Sequence, residues 1–261
     1  MPFEYSEELA EFVGLAFGDG SLTWRKGTNR LRFQLRGDAI SDREHYNKFV
    51  IALCNALIGQ RLGRKVCTIW DRKLNSFGIS VETSKLNDFF GDLGIPIGEK
   101  NELIVPGWIL ASECFSKAFV RGLFDTDGGI HYRRNTTAKS RLPIVGMIYI
   151  TSTSKLLIEG TSKILSRLGL KHYIQFNKKH NGEKDFYRIE IYRSHHREFM
   201  ALIGSHNPKH LDRFMIGEKF GFCPPRTTPE QRTQILKGLL DPFSLLKRES
   251  RSGQSDQLEA L

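Results

Sequence analysis

Two short stretches, "GLAFGDG" at 14–20 and "RGLFDTDGG" at 121–129, each close an apolar run with a carboxylate followed by glycine. Phe12, Leu15 and Ala16 recur at three- and four-residue spacing, as do Phe119, Leu123 and Phe124. That spacing predicts a helix ending at each acid, stopped by Gly20 and by Gly128-Gly129. An acid there faces the negative end of the helix dipole, which costs from a few tenths to about 1 kcal/mol unless a cation compensates. Its occurrence in both stretches points to a job for Asp19 and Asp127. Gly14 and Gly18, and in the second stretch Gly122 and Thr126, lie four residues apart and so share a helix face where another backbone can come close. Two such helices packed side by side bring both acids together. The resulting negative charge suits Mg²⁺, with Gly18 and Thr126 beside the acids in the metal set and phosphates as further ligands. The chemistry implied is metal-assisted phosphodiester hydrolysis.

The elements that would hold these acids recur after each stretch, which makes the chain an internal repeat. In the first half, 21–25 and 30–36 form a hairpin across the turn "KGTN". Within "RLRFQLR", Arg30, Arg32, Gln34 and Arg36 alternate with Leu31, Phe33 and Leu35, giving a strand with one apolar face and one cationic, hydrogen-bonding face. A helix over about 42–58 follows, with Tyr46, Phe49, Val50, Leu53 and Leu57 on one side, then a hairpin from "KVCTIWDRK" and "SFGISVET", then a short helix in "SKLNDFFGDLG". The second half repeats the plan with "PIVGMIYITS", "SKLLIEGTSKILSRLG", "KHYIQFNKK", "DFYRIEIYRS" and "HREFMALIG". The expected fold is α+β: two pseudo-symmetric αββαββα repeats at 1–105 and 106–222, with antiparallel sheets forming one long surface. Residues 223–261 read as an appendage with one helix and a frayed end from "RESRSGQSDQLEAL".

With 39% hydrophobic residues and no long apolar run, the composition is that of a globular protein. The acidic start "MPFEYSEELAEF" does not read as a signal peptide, so an intracellular setting is expected. A net charge of +10 calls for a polyanionic partner, nucleic acid or an acidic membrane surface. An antiparallel ribbon carrying Arg and Gln fits the major groove of double-stranded DNA. The candidate DNA contacts are Arg25, Arg30, Arg32, Gln34, Arg36 and Arg72 in the first half, and Tyr173, Gln175, Asn177, Arg188 and Tyr192 in the second. Cys54, Cys67, Cys114 and Cys223 are too scattered for a CxxC zinc pair or a disulfide framework. An EF-hand reading of "DTDGG" fails because its twelfth position is Thr136.

"FVGLAFGDG" and "VRGLFDTDG" resemble the nine-residue motif of the LAGLIDADG homing endonucleases in their single-chain, two-motif form. Gly14 and Gly122 stand at the motif's glycine, Asp19 and Asp127 at its metal-binding acid, and Gly20 and Gly128 close it. "GIPIGEKNELIVPGWI" and "NPKHLDRF" also resemble family segments, so the similarity covers roughly 8–222. It implies a monomer that makes a double-strand break with short 3′ overhangs in a long asymmetric DNA target. Mg²⁺ is the implied cofactor, with Mn²⁺ able to substitute and Ca²⁺ supporting binding without cleavage. A basic and a polar residue assist in such enzymes; by position these would be Lys85 or Arg193, and Ser152. The first motif departs from the pattern at Phe17, where the second has Asp125. Other functions on the same scaffold are an RNA maturase, a non-cleaving DNA-binding regulator or a general basic DNA-binding protein. Retention of both acids favours the enzyme, and the lack of flanking splicing blocks argues against an intein.

Overall fold

The structure is a computed structural model and describes residues 4–134, 144–179 and 184–249. Its two central helices begin alike. Ser6 caps Glu7–Gly18 by accepting the amide of Leu9, and Ser112 caps Glu113–Asp127 by accepting that of Phe115. Glutamates in each first turn complement the positive end of the dipole. The helices pack against each other at the glycines. A Cβ on Gly14 would lie 2.2 Å from the carbonyl oxygen of Phe119, and one on Gly122 would lie 2.2 Å from that of Glu11. Phe119 and Glu11 each precede the opposite glycine by three residues, so the contact repeats about a pseudo-two-fold axis. Further along, Gly18 meets the Thr126 side chain, and Phe17 packs edge-on against Phe119 at 5.7 Å.

Each motif helix leads into a four-stranded antiparallel sheet. The first contains β1 (Gly20–Trp24), β2 (Leu31–Asp38), β3 (Cys67–Asp71) and β4 (Ser76–Thr83), in the order β1-β2-β4-β3. The second contains β5 (Gly128–Arg134), β6 (Ile144–Ser152), β7 (His172–Asn177) and β8 (Phe186–Ile191), in the order β5-β6-β8-β7. The α+β class and the paired sheets expected from sequence are therefore present. The apolar positions of β2 and β4 face the helices and join Phe12, Phe89 and Phe90 in one core, with Phe33 and Phe90 rings 4.5 Å apart. Phe124 and Phe199, 5.1 Å apart, do the same in the second half. Such ring pairs add about 0.5–1.5 kcal/mol each to what burial provides.

Two expectations need correction. The helix expected over 42–58 is a helical run over 43–62 interrupted by π turns at Tyr46–Val50 and Asn55–Gly59. Tyr46, Val50, Cys54 and Ile58 are buried, a spacing of four that would drift round an ideal helix. The wider π turns keep all four on the core and leave Leu57 only half-buried. Among the described residues after 223 there are two helices, not one: Pro229–Leu236, which Thr228 and Gln231 start with a reciprocal capping box, and Pro242–Glu249. Most of the segment expected to fray, 250–261, lies outside the described residues. Among the described residues no helix is long and apolar enough to cross a membrane.

Candidate nuclease site

The motif acids end adjacent helices. A Cβ placed on Gly18 would lie 3.4 Å from the carboxyl carbon of Asp127, so the two helix ends emerge together. Both acids are only partly open to solvent. Burial first, then the charge of Asp127 and that of Asp42, push the Asp19 carboxyl up to about 7. Burial alone pushes Asp127 up to about 6, with Lys100 opposing. Neutral pH thus leaves two reluctant carboxylates beside each other, a donor set that a divalent cation would relieve.

Lys100 acts on both acids. Its ammonium donates to the carbonyl oxygen of Phe17 at 3.0 Å and to that of Gly18, capping the first motif helix where the dipole is most negative. Burial holds its pKa below the usual lysine value even though Asp127 and Asp19 both favour the charged form. Lys100 shares a cleft of about 210 Å³ with Asp127, Thr151, Ser152 and Phe186, and the Thr151 hydroxyl donates to the Asp127 carbonyl at 3.0 Å. On the other side, the buried Tyr46 hydrogen-bonds the Asp19 carboxyl. The environments of the two acids therefore differ although their helices are related by pseudo-symmetry.

The structure gathers some of the sequence-predicted residues and leaves others apart. Ser152 is in the cleft with Asp127. Lys85 and Arg193 are exposed, and neither is among the charges acting on Asp19 or Asp127; the cations that do so are Lys100 and Lys209. Sequence reading missed Lys100 and Tyr46 because nothing in their spacing ties them to an acid. Asp125, at the position where the first motif has Phe17, is buried and anchors the segment 205–207. It accepts from the Ser205 hydroxyl and from the His206 amide at 2.8 Å, and its carbonyl accepts from Asn207 at 3.1 Å. Glu11, Asp125 and His206 bring potential ligand atoms within 4.8 Å of one another. Glu11 already accepts from Arg121 Nε and Nη2, at 3.1 and 2.8 Å, and pairs with His206 at 2.6 Å, so this cluster balances its charge mainly with the protein's own cation.

Arg32, Gln34 and Arg36 alternate with the buried Leu31, Phe33 and Leu35 on the open face of the first sheet. Arg25 and Arg32 converge on Glu82 at 2.7 and 3.5 Å, and Arg36 donates to Gln34 at 3.2 Å. Arg30, exposed, precedes β2. Arg72 lies over the ring of Trp70 at 5.1 Å; Trp70 pairs in register with the buried Phe77, so Arg72 is off the Arg32–Gln34–Arg36 row. In the second sheet, Tyr173 pairs with Glu190, Gln175 with Arg188 and Asn177 with Phe186, which puts the two predicted rows on one face. Tyr192, one residue beyond β8, brings its ring within 5.4 Å of Tyr173.

Residues 115–204 match the family model for a LAGLIDADG-like domain. The second repeat is a LAGLIDADG-like domain. The Methanocaldococcus jannaschii protein "Replication factor C small subunit" is 26% identical over 214 residues, which are 81% of this chain and 10% of that protein. An A-type ATP synthase protein of Pyrococcus abyssi is 24% identical over 250 residues, 95% of this chain and 20% of that protein. The chain thus spans a tenth and a fifth of the length of these relatives. Among solved structures, variants of the homing endonuclease I-DmoI match with a TM-score of 0.55 at 19% identity, covering 76% of this chain and 90% of theirs. I-DmoI in complex with DNA and Ca gives 0.54 at 18%, covering 76% and 88%. The LAGLIDADG homing endonuclease I-LtrWI bound to target DNA gives 0.52 at 10%, covering 95% and 98%. These likenesses are of fold, and they extend the LAGLIDADG architecture beyond the residues matched by the family model.

Proposed function

We propose that the chain is a site-specific DNA endonuclease that makes a double-strand break with short 3′ overhangs in a long asymmetric target. The observation that carries this reading is the meeting of Asp19 and Asp127 at the ends of two helices that only glycine lets approach so closely. Two half-buried acids that share the charge of Lys100 leave a surplus of negative charge, and oxygen donors of that kind suit Mg²⁺. When bound, Mg²⁺ supplies positive charge to the scissile phosphate and lowers the pKa of water there.

The remaining work falls to the chain's own residues. Asp19 and Asp127 orient the site; Lys100 adds a fixed positive charge at the same helix ends, and Ser152 and Thr151 offer hydroxyls in the cleft beside Asp127. The arginines of the first sheet and Arg188 of the second supply the cations that hold phosphates and read base edges. The presence of one module within two larger proteins of unrelated name, together with neighbours described as homing endonucleases, supports a mobile endonuclease. The test is to select cut sites from a plasmid library of random inserts in Mg²⁺ and map both strands. The expected product is one long motif with staggered breaks and 3′ overhangs; random or single-strand breaks would contradict the reading.

A further inference from the structure

The two sheets share one register, so each open-face residue of the first has a counterpart in the second. Gly20, Leu35 and Ile79 stand across β1, β2 and β4 as Gly128, Ile150 and Ile189 stand across β5, β6 and β8. Counting from these anchors, Gln34 corresponds to Tyr149 and Arg36 to Thr151. The chemistry at these matched positions differs. Arg36 donates through Nη2 to Gln34 at 3.2 Å, which leaves Gln34 its amide N–H groups and a carbonyl lone pair; Arg36 Nε is buried, so contact with a base falls to its terminal amino groups. Those are the groups that make two-point bonds to adenine and guanine edges. Tyr149 packs over Gly129, where an added Cβ would lie 2.7 Å from its hydroxyl, and the Arg188 guanidinium covers its ring at 5.0 Å. Thr151 spends its hydroxyl proton on the Asp127 carbonyl, so what it can offer a base is an oxygen lone pair and its methyl. Glu190, the acid on this face, is buried and taken up by the Tyr173 hydroxyl and by Arg188 at 3.6 Å.

We infer that the chain reads its target lopsidedly: next to the cleavage site, Gln34 and Arg36 demand adenine and guanine in one half, whereas Tyr149 and Thr151 in the other make no two-point purine bond and favour thymine through its methyl. This rests on the sheets being the DNA-reading faces. It adds which half carries the sequence requirement and which bases satisfy it.

The experiment is selection of bound duplexes from a fully randomised library by the full-length wild-type chain in Ca²⁺. The same selection is run with Gln34→Ala, Arg36→Ala and Tyr149→Gln. A purine-fixed half and a looser, thymine-leaning half are expected. Each alanine should relax one purine position by roughly 5- to 150-fold, and Tyr149→Gln should write a new adenine preference into the looser half. The gain of preference cannot come from misfolding. Equal purine demand in both halves, or a Tyr149→Gln motif identical to wild type, overturns the inference while leaving site-specific recognition standing. Recovery of no motif at all overturns that recognition and the inference with it.

Discussion

Asp19 bears the heavier electrostatic load of the two acids, because Asp127 and Asp42 both act on it while Lys100 and Lys209 only partly offset them. A folded-state pKa above the unfolded value means that the folded chain holds the proton more tightly. Stability from this source is therefore full below pH about 4 and is lost as pH rises through about 6 to 7. In EDTA, Asp19→Asn with Asp127→Asn should raise the melting temperature at pH 8 and do little at pH 4, by roughly 2–4 °C per kcal/mol relieved. Parallel melting curves for wild type and variant across that range would contradict the assigned shifts. Lys100 yields a second prediction. Lys100→Met should lower Mg²⁺-dependent cleavage by roughly 10²-fold and move the acid limb of the pH profile upward, leaving DNA affinity within a few fold. An unchanged limb would mean that Lys100 does no more than cap the helix. The acids could be read directly from spacing and dipole cost, whereas Lys100 and Tyr46 could not. They reach the site through a linker and a π-bulged helix whose geometry is settled by packing.

At the scale of elements, the close approach of the motif helices rests on two backbone contacts made by glycines. Gly122→Ala would drive a Cβ into the Glu11 carbonyl, so the helices must part, at a cost of about 1–3 kcal/mol or more. Gly91→Ala, in the helix Leu86–Gly91 with nothing within 4 Å of the new Cβ, should be neutral or mildly stabilising. Urea unfolding distinguishes the two; equal midpoints would refute the packing account. The strands were legible because alternation fixes which residues share a face, and β2 and β4 place Phe33, Leu35, Ile79 and Val81 inward as the pattern requires. The π turns were not legible, since a search for a 3.6-residue period credits Leu57 where the structure buries Ile58. "TPEQ" carries a capping box, but "DPFSLLKRE" is too short to stand out as a second helix until Phe243 packs on Phe222 at 4.8 Å.

Two of the connections between the halves bear on the pair of acids. One is the pair of motif helices; the other is the segment 205–213, which reaches Glu11 and Asp125 on those helices and Asp42 beside β2 through His206, Asn207 and Lys209. The second connection is asymmetric, and it gives Asp19 surroundings that Asp127 lacks. A duplicated sequence announces symmetry, but it does not reveal which long-range contacts break it. On DNA, log affinity should fall linearly with log salt, and replacing one phosphate-contacting lysine should reduce the slope by about one. A flat salt response would show that the basic faces do not hold phosphates. The central claim, that Asp19 and Asp127 act as one site, is tested most directly on a supercoiled plasmid carrying the selected target in Mg²⁺. Wild type should linearise it, while Asp19→Asn and Asp127→Asn should each bind it with unchanged affinity and leave it uncut; cutting by either variant at the wild-type rate would contradict the account.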